Sequence, residues 1–161
     1  MQYGQGDPEE LKNKFWHAIA DSPFVFLERN DAPDAAVVMT AQLDKNADHS
    51  IWFFSHKDSD LAKMGRAVAT FAGKGHEIFA RIEGTLTQEL SRDRLEQHWS
   101  NFVEAWYKGG KDDPNLLMLR MDLGEAEIWS TKLGALTTGK MMLGMDVREE
   151  GAEHHAKTSL R

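Results

Sequence analysis

The spacing of apolar residues along the chain predicts two helices. Asp7 and Pro8 suit the cap and the first turn of the first helix. Its apolar residues follow at helical spacing: Leu11, Phe15, Ala18 and Ile19. Ser91 suits the cap of a longer helix that ends at Gly109-Gly110. Its single apolar stripe consists of Leu95, Trp99, Phe102, Val103 and Trp106. The stripe predicts that Trp99 and Trp106 lie in the core.

Short apolar runs separated by polar turns predict a set of strands. These strands are expected at 24–27, 36–43, 51–54, 68–72, 78–87, 116–123 and 127–130, with a short helix at 61–67. Gly84 is expected to mark a bulge. Consecutive short strands with few helical crossovers favour a small antiparallel barrel with peripheral helices over a parallel doubly wound sheet. The residues alone therefore predict an α+β barrel.

Composition and charge narrow the classes of function. The chain has 161 residues, a formal charge of −7 and no cysteine. This length indicates one domain, expected at 1–145, followed by a polar tail at 146–161. Cysteine chemistry is excluded, and the acidic balance argues against nucleic acid as a partner. No stretch approaches the roughly 20 apolar residues of a membrane span, and the polar start is unlike a secretory signal. We therefore expect a cytoplasmic protein.

Residues that could carry chemistry are few. The segment 134–140 has the spacing of a phosphate-binding loop, but Met141 follows where Ser or Thr would hold magnesium. A chance match is the better interpretation, although Lys140 could still reach a phosphate. The histidine spacing predicts no metal site, and no serine lies in a nucleophile elbow. Any difficult chemistry is therefore expected from a cofactor.

Three segments carry a resemblance to a known family. They are 38–40 with 51–55 and 57–59 (VMT, IWFFS and KDS), 105–114 (AWYKGGKDDP) and 126–129 (AEIW). Together they resemble the general stress protein 26 family of the pyridoxamine 5'-phosphate oxidase-like superfamily. The similarity runs from about Leu11 to Leu143, and the Gly-Gly-Lys-Asp-Asp-Pro segment is its most specific part.

The resemblance implies a fold, a partner and a cofactor. The fold is a six-stranded antiparallel split β-barrel, the FMN-binding split barrel, which forms a homodimer with FMN or FAD at the dimer interface. By similarity, Val38, Met39 and Thr40 run beside the isoalloxazine ring, and Phe54 and Ser55 follow on the next strand. Ser59, at the start of a short helix, is expected to meet the phosphate, because exposed N–H groups favour an anion. Trp129 matches a tryptophan near the cofactor, and Trp106 and Lys111 could reach across the interface.

The phosphate position departs from the family pattern. Pyridoxamine phosphate oxidases carry an Arg-Lys pair where this chain has Asp60-Leu61. Charge-assisted bonds to phosphate are strong, so the exchange is expected to weaken FMN binding. Three residues are candidates to compensate: Lys57, Lys63 and Lys140. The chain also lacks the oxidase's Arg-rich C-terminal segment, which argues against pyridoxamine phosphate oxidation.

Three functions stay open at this point. The first is a flavin-binding protein, with oxidoreductase activity on an unspecified substrate. The second is a non-enzymatic carrier or stress-response module with a weak or lost cofactor. The third is a different cofactor on the same barrel, either a deazaflavin or haem, for which His76 is the candidate axial ligand.

Overall fold

The computed structural model describes residues 4–45, 49–131, 143–144 and 154–161. Within them are three α-helices: α1 (Pro8–Asp21), α2 (Arg92–His98) and α3 (Asn101–Glu104). The strands are β1 (Gly4–Gln5), β2 (Phe24–Arg29), β3 (Val37–Thr40), β4 (Ser50–His56), β5 (Gly65–Ala72), β6 (Ile78–Gln88), β7 (Leu116–Ser130) and β8 (His154–Ser159). Single 3-10 turns lie at Asp60–Lys63, Lys74–His76 and Gly110–Asp112. No helix among these residues is long and apolar enough to span a membrane.

Six strands form a nearly closed antiparallel barrel. Their order is β4-β7-β6-β5-β2-β3. The only backbone pairing that joins the two ends, within the described residues, is a bridge between Gln42 and Trp52, with N–O distances of 2.8 and 3.0 Å. β8 extends the sheet by pairing with the second half of β7, and β1 adds a parallel edge. The expected six-stranded split barrel is confirmed.

The core lies inside the barrel, and α1 covers one part of it. Buried and exposed residues alternate along the strands. On β2, Val25 and Leu27 are buried, whereas Phe24 and Phe26 are exposed. The Asp7 side chain accepts the Glu9 N–H at 3.0 Å and caps α1 as expected. Its predicted apolar face joins the barrel core through Leu11, Phe15 and Ile19.

β7 is one strand of 15 residues, not the two strands expected at 116–123 and 127–130. The expected bulge is confirmed at Gly84, where the β6–β7 register shifts. A Cβ on Gly84 would lie 2.6 Å from the Asp122 carbonyl oxygen, so glycine allows the two backbones to approach. The bulge absorbs the break in alternation, and β7 therefore continues past it.

The long helix expected from Ser91 to Gly109 is wrong. Trp99 has an extended backbone (φ −69°, ψ 134°), and Ser100 caps a new helix by accepting the Val103 N–H. A serine that binds the backbone in this way competes with helix continuation. Phe102 is 87% exposed and Trp106 is 76% exposed. The prediction that Trp106 is a core residue is therefore also wrong.

Two further segments differ from expectation. The helix expected at 61–67 is a single turn, because Met64 (φ +57°) and Gly65 (φ +87°) reverse the chain and β5 begins at Gly65.

Part of the segment expected as a polar tail, 154–161, forms β8 and buries Ala156 and Leu160. Pairing with β7 satisfies the β8 backbone, which its polar composition did not suggest. The domain boundary at 145 stays a prediction.

Candidate functional site

The candidate site is the split between β3 and β4. One edge of β3 pairs with β2, and one edge of β4 pairs with β7. Among the described residues, the facing edges share no strand pairing beyond the bridge at Gln42. Unpaired strand edges present N–H and C=O groups that can bind a ligand.

The three predicted β3 residues do not share a face. Val38 is 61% exposed and Thr40 is exposed, whereas Met39 packs against the core. Successive side chains on a strand point to opposite sides. Only Val38 and Thr40 therefore present side chains on the outer face, while Met39 can contribute its backbone.

On β4 and the turn after it, the structure brings two predicted residues together. Ser55 Oγ lies 3.0 Å from Ser59 Oγ. Ser59 Oγ donates to the His56 carbonyl at 2.8 Å, so Ser59 accepts from Ser55. Phe54 is half-buried, and its ring meets Trp99 edge-on at 5.8 Å. The 60–63 turn that follows Ser59 has only four residues, so it offers little of the helix dipole invoked from the sequence.

Asp60, the acidic departure from the family pattern, is paired with an arginine that the sequence analysis did not identify. Arg29 of β2 donates from Nε and Nη2 to the two Asp60 oxygens at 3.2 and 3.3 Å. Lys63 Nζ lies 3.3 Å from Asp60 Oδ1. The Arg29 hydrogen bonds hold the pKa of Asp60 below its usual value. Leu61 is buried in the core. At the two positions that depart from the family pattern, Asp60 therefore forms an ion pair with Arg29, and Leu61 packs in the core.

The three candidate cations for a phosphate have different surroundings. Lys63 belongs to the Asp60 cluster. Lys57 is exposed, and its ammonium makes no ion pair with any described residue. Lys140, with the rest of the 134–140 segment, lies outside the described residues.

Residues 107–115, which include the Gly-Gly-Lys-Asp-Asp-Pro segment, form a hydrogen-bonded turn next to β4 that we call the clamp. Asp113 accepts the N–H groups of Gly109 at 2.9 Å and Asn115 at 2.8 Å, and these bonds lower the pKa of Asp113. A Cβ on Gly109 would lie 2.8 Å from Asp113 Cα, so the turn requires glycine there. Asn115 Nδ2 lies 3.1 Å from His56 Nδ1. The clamp therefore joins the segment directly to β4.

Tyr107 attaches the clamp to Ser55 of β4. Its hydroxyl donates to the Ser55 carbonyl at 2.6 Å. Burial raises the pKa of Tyr107 to about 12. Its ring contacts those of His56 and Trp99, with centroids 5.0 and 6.2 Å away. The sequence analysis missed Tyr107, although its position in the 105–114 segment, two residues before the most specific part of the resemblance, was an available signal.

A second polar cluster docks α2 on the outer face of β4. The buried Trp52 donates from Nε1 to Glu89 at 2.9 Å, and the Arg94 guanidinium lies 4.5 Å from its ring centre. His98 stacks on Trp52 at 5.1 Å, with Nε2 buried, without a hydrogen bond, and 3.6 Å from Asp44. Burial lowers the pKa of His98 despite this carboxylate. Burial also opposes ionisation of Asp44, but hydrogen bonds from Arg94 and Gln97 outweigh it and lower the pKa of that carboxyl.

Trp129 lies on the part of β7 that follows the residues paired with β4. It is half-buried, and its ring stacks on His155 at 5.2 Å. Its backbone pairs with Phe79 of β6 and His155 of β8. None of these described contacts joins Trp129 to β3 or β4.

His76, the candidate haem ligand, lies on an exposed turn. Its backbone has φ +59°, and its ring is stacked 6.5 Å from Phe79. An axial ligand needs a pocket that excludes water around the iron. The exposed position of His76 therefore does not favour haem.

The geometry can be set beside known proteins. The family model described as "Pyridoxamine 5'-phosphate oxidase like" matches residues 10–152. A protein of Xanthomonas campestris pv. campestris, classed in the general stress family, is 38% identical, with 81% of this chain and 93% of that chain covered and a TM-score of 0.72. The general stress FMN/FAD binding protein of Xanthomonas citri is also 38% identical, covering 76% and 89%, with a TM-score of 0.70.

A more distant relative covers nearly the whole chain. A protein of Jannaschia sp. CCS1, classed as a general stress protein 26, is 25% identical, with coverage of 95% and 99% and a TM-score of 0.80. No curated protein matches significantly. The family match, the two 38% identical structures and the split barrel agree with one another. The chain belongs to the pyridoxamine 5'-phosphate oxidase-like family, in its general stress protein branch.

Proposed function

We propose that this chain binds a flavin nucleotide, FMN or FAD, in the split between β3 and β4. The observation that carries the proposal is the exposed Val38 beside two strand edges that, among the described residues, are joined across the split by a single bridge at Gln42. The isoalloxazine ring is planar, with apolar faces and a polar edge. Ligands of this kind bind apolar clefts with a few convergent polar groups. The similarity to the FMN/FAD binding protein of Xanthomonas citri supports the same ligand class.

The described residues suggest a division of roles. Val38 and Thr40 would contact the ring from β3, with Met39 offering backbone groups, and Phe54 would contact it from β4. Ser55 and Ser59, already within hydrogen-bond distance of each other, would bind polar oxygens of the ribityl or phosphate part. When bound, the flavin would supply the redox chemistry, and the protein would orient it and exclude water.

We propose that the working unit is a homodimer with the flavin at its interface, as the family resemblance implies. The described contacts of Trp129 join it to β6 and β8 and not to β3 or β4, so a second copy would supply Trp129 to the flavin beside Val38. Phe24, Phe26 and Val38 are each more than half exposed on the outer face of β2 and β3. Grouped apolar side chains of this kind are typical of a protein interface. Trp106 and Lys111 remain proposed contributors across it.

Oxidoreductase activity and cytoplasmic location belong to the same proposal. A chain without cysteine needs no oxidising compartment for disulfides. A flavin carrier without turnover is the non-enzymatic alternative. Reduction of the bound flavin by NADH or NADPH, followed by its absorbance, distinguishes an oxidoreductase from a carrier.

The test is a titration of riboflavin, FMN and FAD, followed by quenching of flavin fluorescence. We expect saturable binding of at least one flavin at micromolar concentration. Val38→Asp places a charge against the ring and should weaken binding of every flavin at least tenfold. Lys157→Ala, at an exposed position on β8, is the control and should bind as the parent does. No quenching by any of the three flavins at tens of micromolar would overturn the proposal.

A further inference from the structure

Arg29, Lys63 and Asp60 form an anion site that the chain fills with its own carboxylate. Arg29 is buried in the barrel wall, and its fork meets both Asp60 oxygens. Lys63 adds a second cation at 3.3 Å from Oδ1. A guanidinium fork with a nearby ammonium is the arrangement that proteins use for carboxylates and phosphates alike. The bound anion here is the Asp60 side chain, which keeps 32% of its surface exposed.

This anion site adjoins the proposed flavin site. Asp60 directly follows Ser59, whose hydroxyl is bonded to Ser55. The turn 60–63 lies at the surface, where Leu61 and the half-buried Ala62 pack against the core while Asp60 and Lys63 do not. The Asp60 side chain can therefore rotate away from Arg29 without unfolding the barrel.

The local charge is balanced as long as Asp60 stays in place. Two cations, Arg29 and Lys63, face two anions, Asp60 and the exposed Asp31, whose Oδ2 lies 3.8 Å from Arg29 Nη1. A phosphate that binds here must displace the Asp60 carboxylate from its donors or add negative charge to a neutral cluster. Either event reduces the gain from charge-assisted hydrogen bonds.

We propose that Asp60 competes internally with the flavin phosphate for Arg29 and Lys63, and so determines how strongly the chain holds phosphorylated flavins relative to riboflavin. This inference rests on the proposed flavin function. Asp60 would discriminate between flavins that carry a phosphate group and riboflavin, which carries none. Arg29 would bind the phosphate once the Asp60 carboxylate has left it.

The test compares FMN and riboflavin affinities in Asp60→Asn, Lys63→Ala and the control Asp58→Asn. Asp58 is exposed, and its carboxylate makes no ion pair with any described residue. In Asp60→Asn we expect FMN affinity to rise about tenfold or more relative to riboflavin, the size of one charge-assisted bond. Lys63→Ala, at a largely exposed position, should lower FMN affinity relative to riboflavin. Asp58→Asn removes a nearby charge that pairs with neither Arg29 nor Lys63, so it should leave the ratio within about twofold, since water and salt screen an exposed, unpaired carboxylate.

A second measurement guards against loss of folding and is independent of flavin. Asp60→Asn leaves Arg29 without its main partner, so the melting temperature of this variant in chloride should be lower than that of the parent chain. Inorganic phosphate should raise the melting temperature of the variant more than that of the parent chain. An unchanged affinity ratio in both Asp60→Asn and Lys63→Ala would overturn the inference, as would a phosphate effect no larger than the parent's. If no chain binds any flavin but phosphate still rescues Asp60→Asn, the proposed function fails while the anion site stands.

Discussion

Replacing Tyr107 with Phe tests whether the clamp behind β4 supports the candidate site. The change removes one hydroxyl, which donates to the Ser55 carbonyl at 2.6 Å, and keeps the ring among His56 and Trp99. Ser55 stays paired with Leu117 in the β4–β7 ladder, so its carbonyl loses one of two hydrogen bonds, a cost of about 0.5–1.5 kcal/mol. For a chain of 161 residues, a loss of about 1 kcal/mol lowers the melting temperature by roughly 2–4 °C.

Urea unfolding followed by tryptophan fluorescence measures this loss of stability. The assay suits the chain because it has five tryptophans, one of them beside Tyr107. The phenol, with its pKa raised to about 12, stays protonated throughout an assay at pH 8, so the hydroxyl can donate. Lys108→Ala, at the adjacent exposed position, is the control and should stay within about 0.5 kcal/mol of the parent.

The Tyr107→Phe variant has a second readout, the flavin affinity of the proposed site. Because Ser55 lies in that site, a looser clamp should also weaken flavin binding. A variant as stable as the parent would refute the buried hydrogen bond. A destabilised variant with unchanged flavin affinity would show that the clamp serves the fold alone.

Two further predictions concern the bulge and the buried histidine. Gly84→Ala should cost about 1–3 kcal/mol in urea unfolding, because its Cβ would press on the Asp122 carbonyl at 2.6 Å; a near-neutral result would contradict the close approach. The pKa of His98 lies below the ordinary 6.5, so the unfolded chain binds a proton first as the pH falls. Stability should therefore decrease below pH 6.5 until the folded pKa is passed. His98→Gln should flatten the unfolding free energy between pH 7 and 5, and an unchanged slope would exclude His98 as its source. The pKa of Asp44 is lowered in the folded chain, so its carboxylate stabilises the fold above the ordinary value of 3.8. This stabilisation is lost only as the pH falls below that value, outside the range in which His98 titrates.

Local signals explain what could be predicted from the sequence. The cap at Asp7 and the spacing of Leu11, Phe15 and Ile19 act within single helical turns, and α1 begins and buries its apolar face as predicted. Alternation and turn residues likewise located most barrel strands. The same local logic failed at Ser100, because an apolar stripe at helical spacing does not reveal a serine that caps a second helix.

Contacts between distant residues account for what the sequence left undecided at the site. Arg29 and Asp60 are 31 positions apart, and Tyr107 and Ser55 are 52 apart. Nothing in either neighbourhood indicates its partner, because barrel closure and the packing of the α3 segment create the contact. The pairing of Trp129 with Phe79 and His155 likewise depends on the strand order, which periodicity does not specify.

The sequence by itself determined the class of this protein: an acidic, cysteine-free α+β barrel whose segments place it in the pyridoxamine 5'-phosphate oxidase-like family. Composition and short-range periodicity suffice for this, since they govern which faces are buried and where the chain turns. Only the tertiary structure decided that the acidic Asp60 is held by Arg29, that Trp106 faces solvent, and that a single bridge joins the two edges of the split in the part of the chain that is described. Charge balance, exposure and unpaired edges depend on which distant segments meet, and that is settled when the barrel closes.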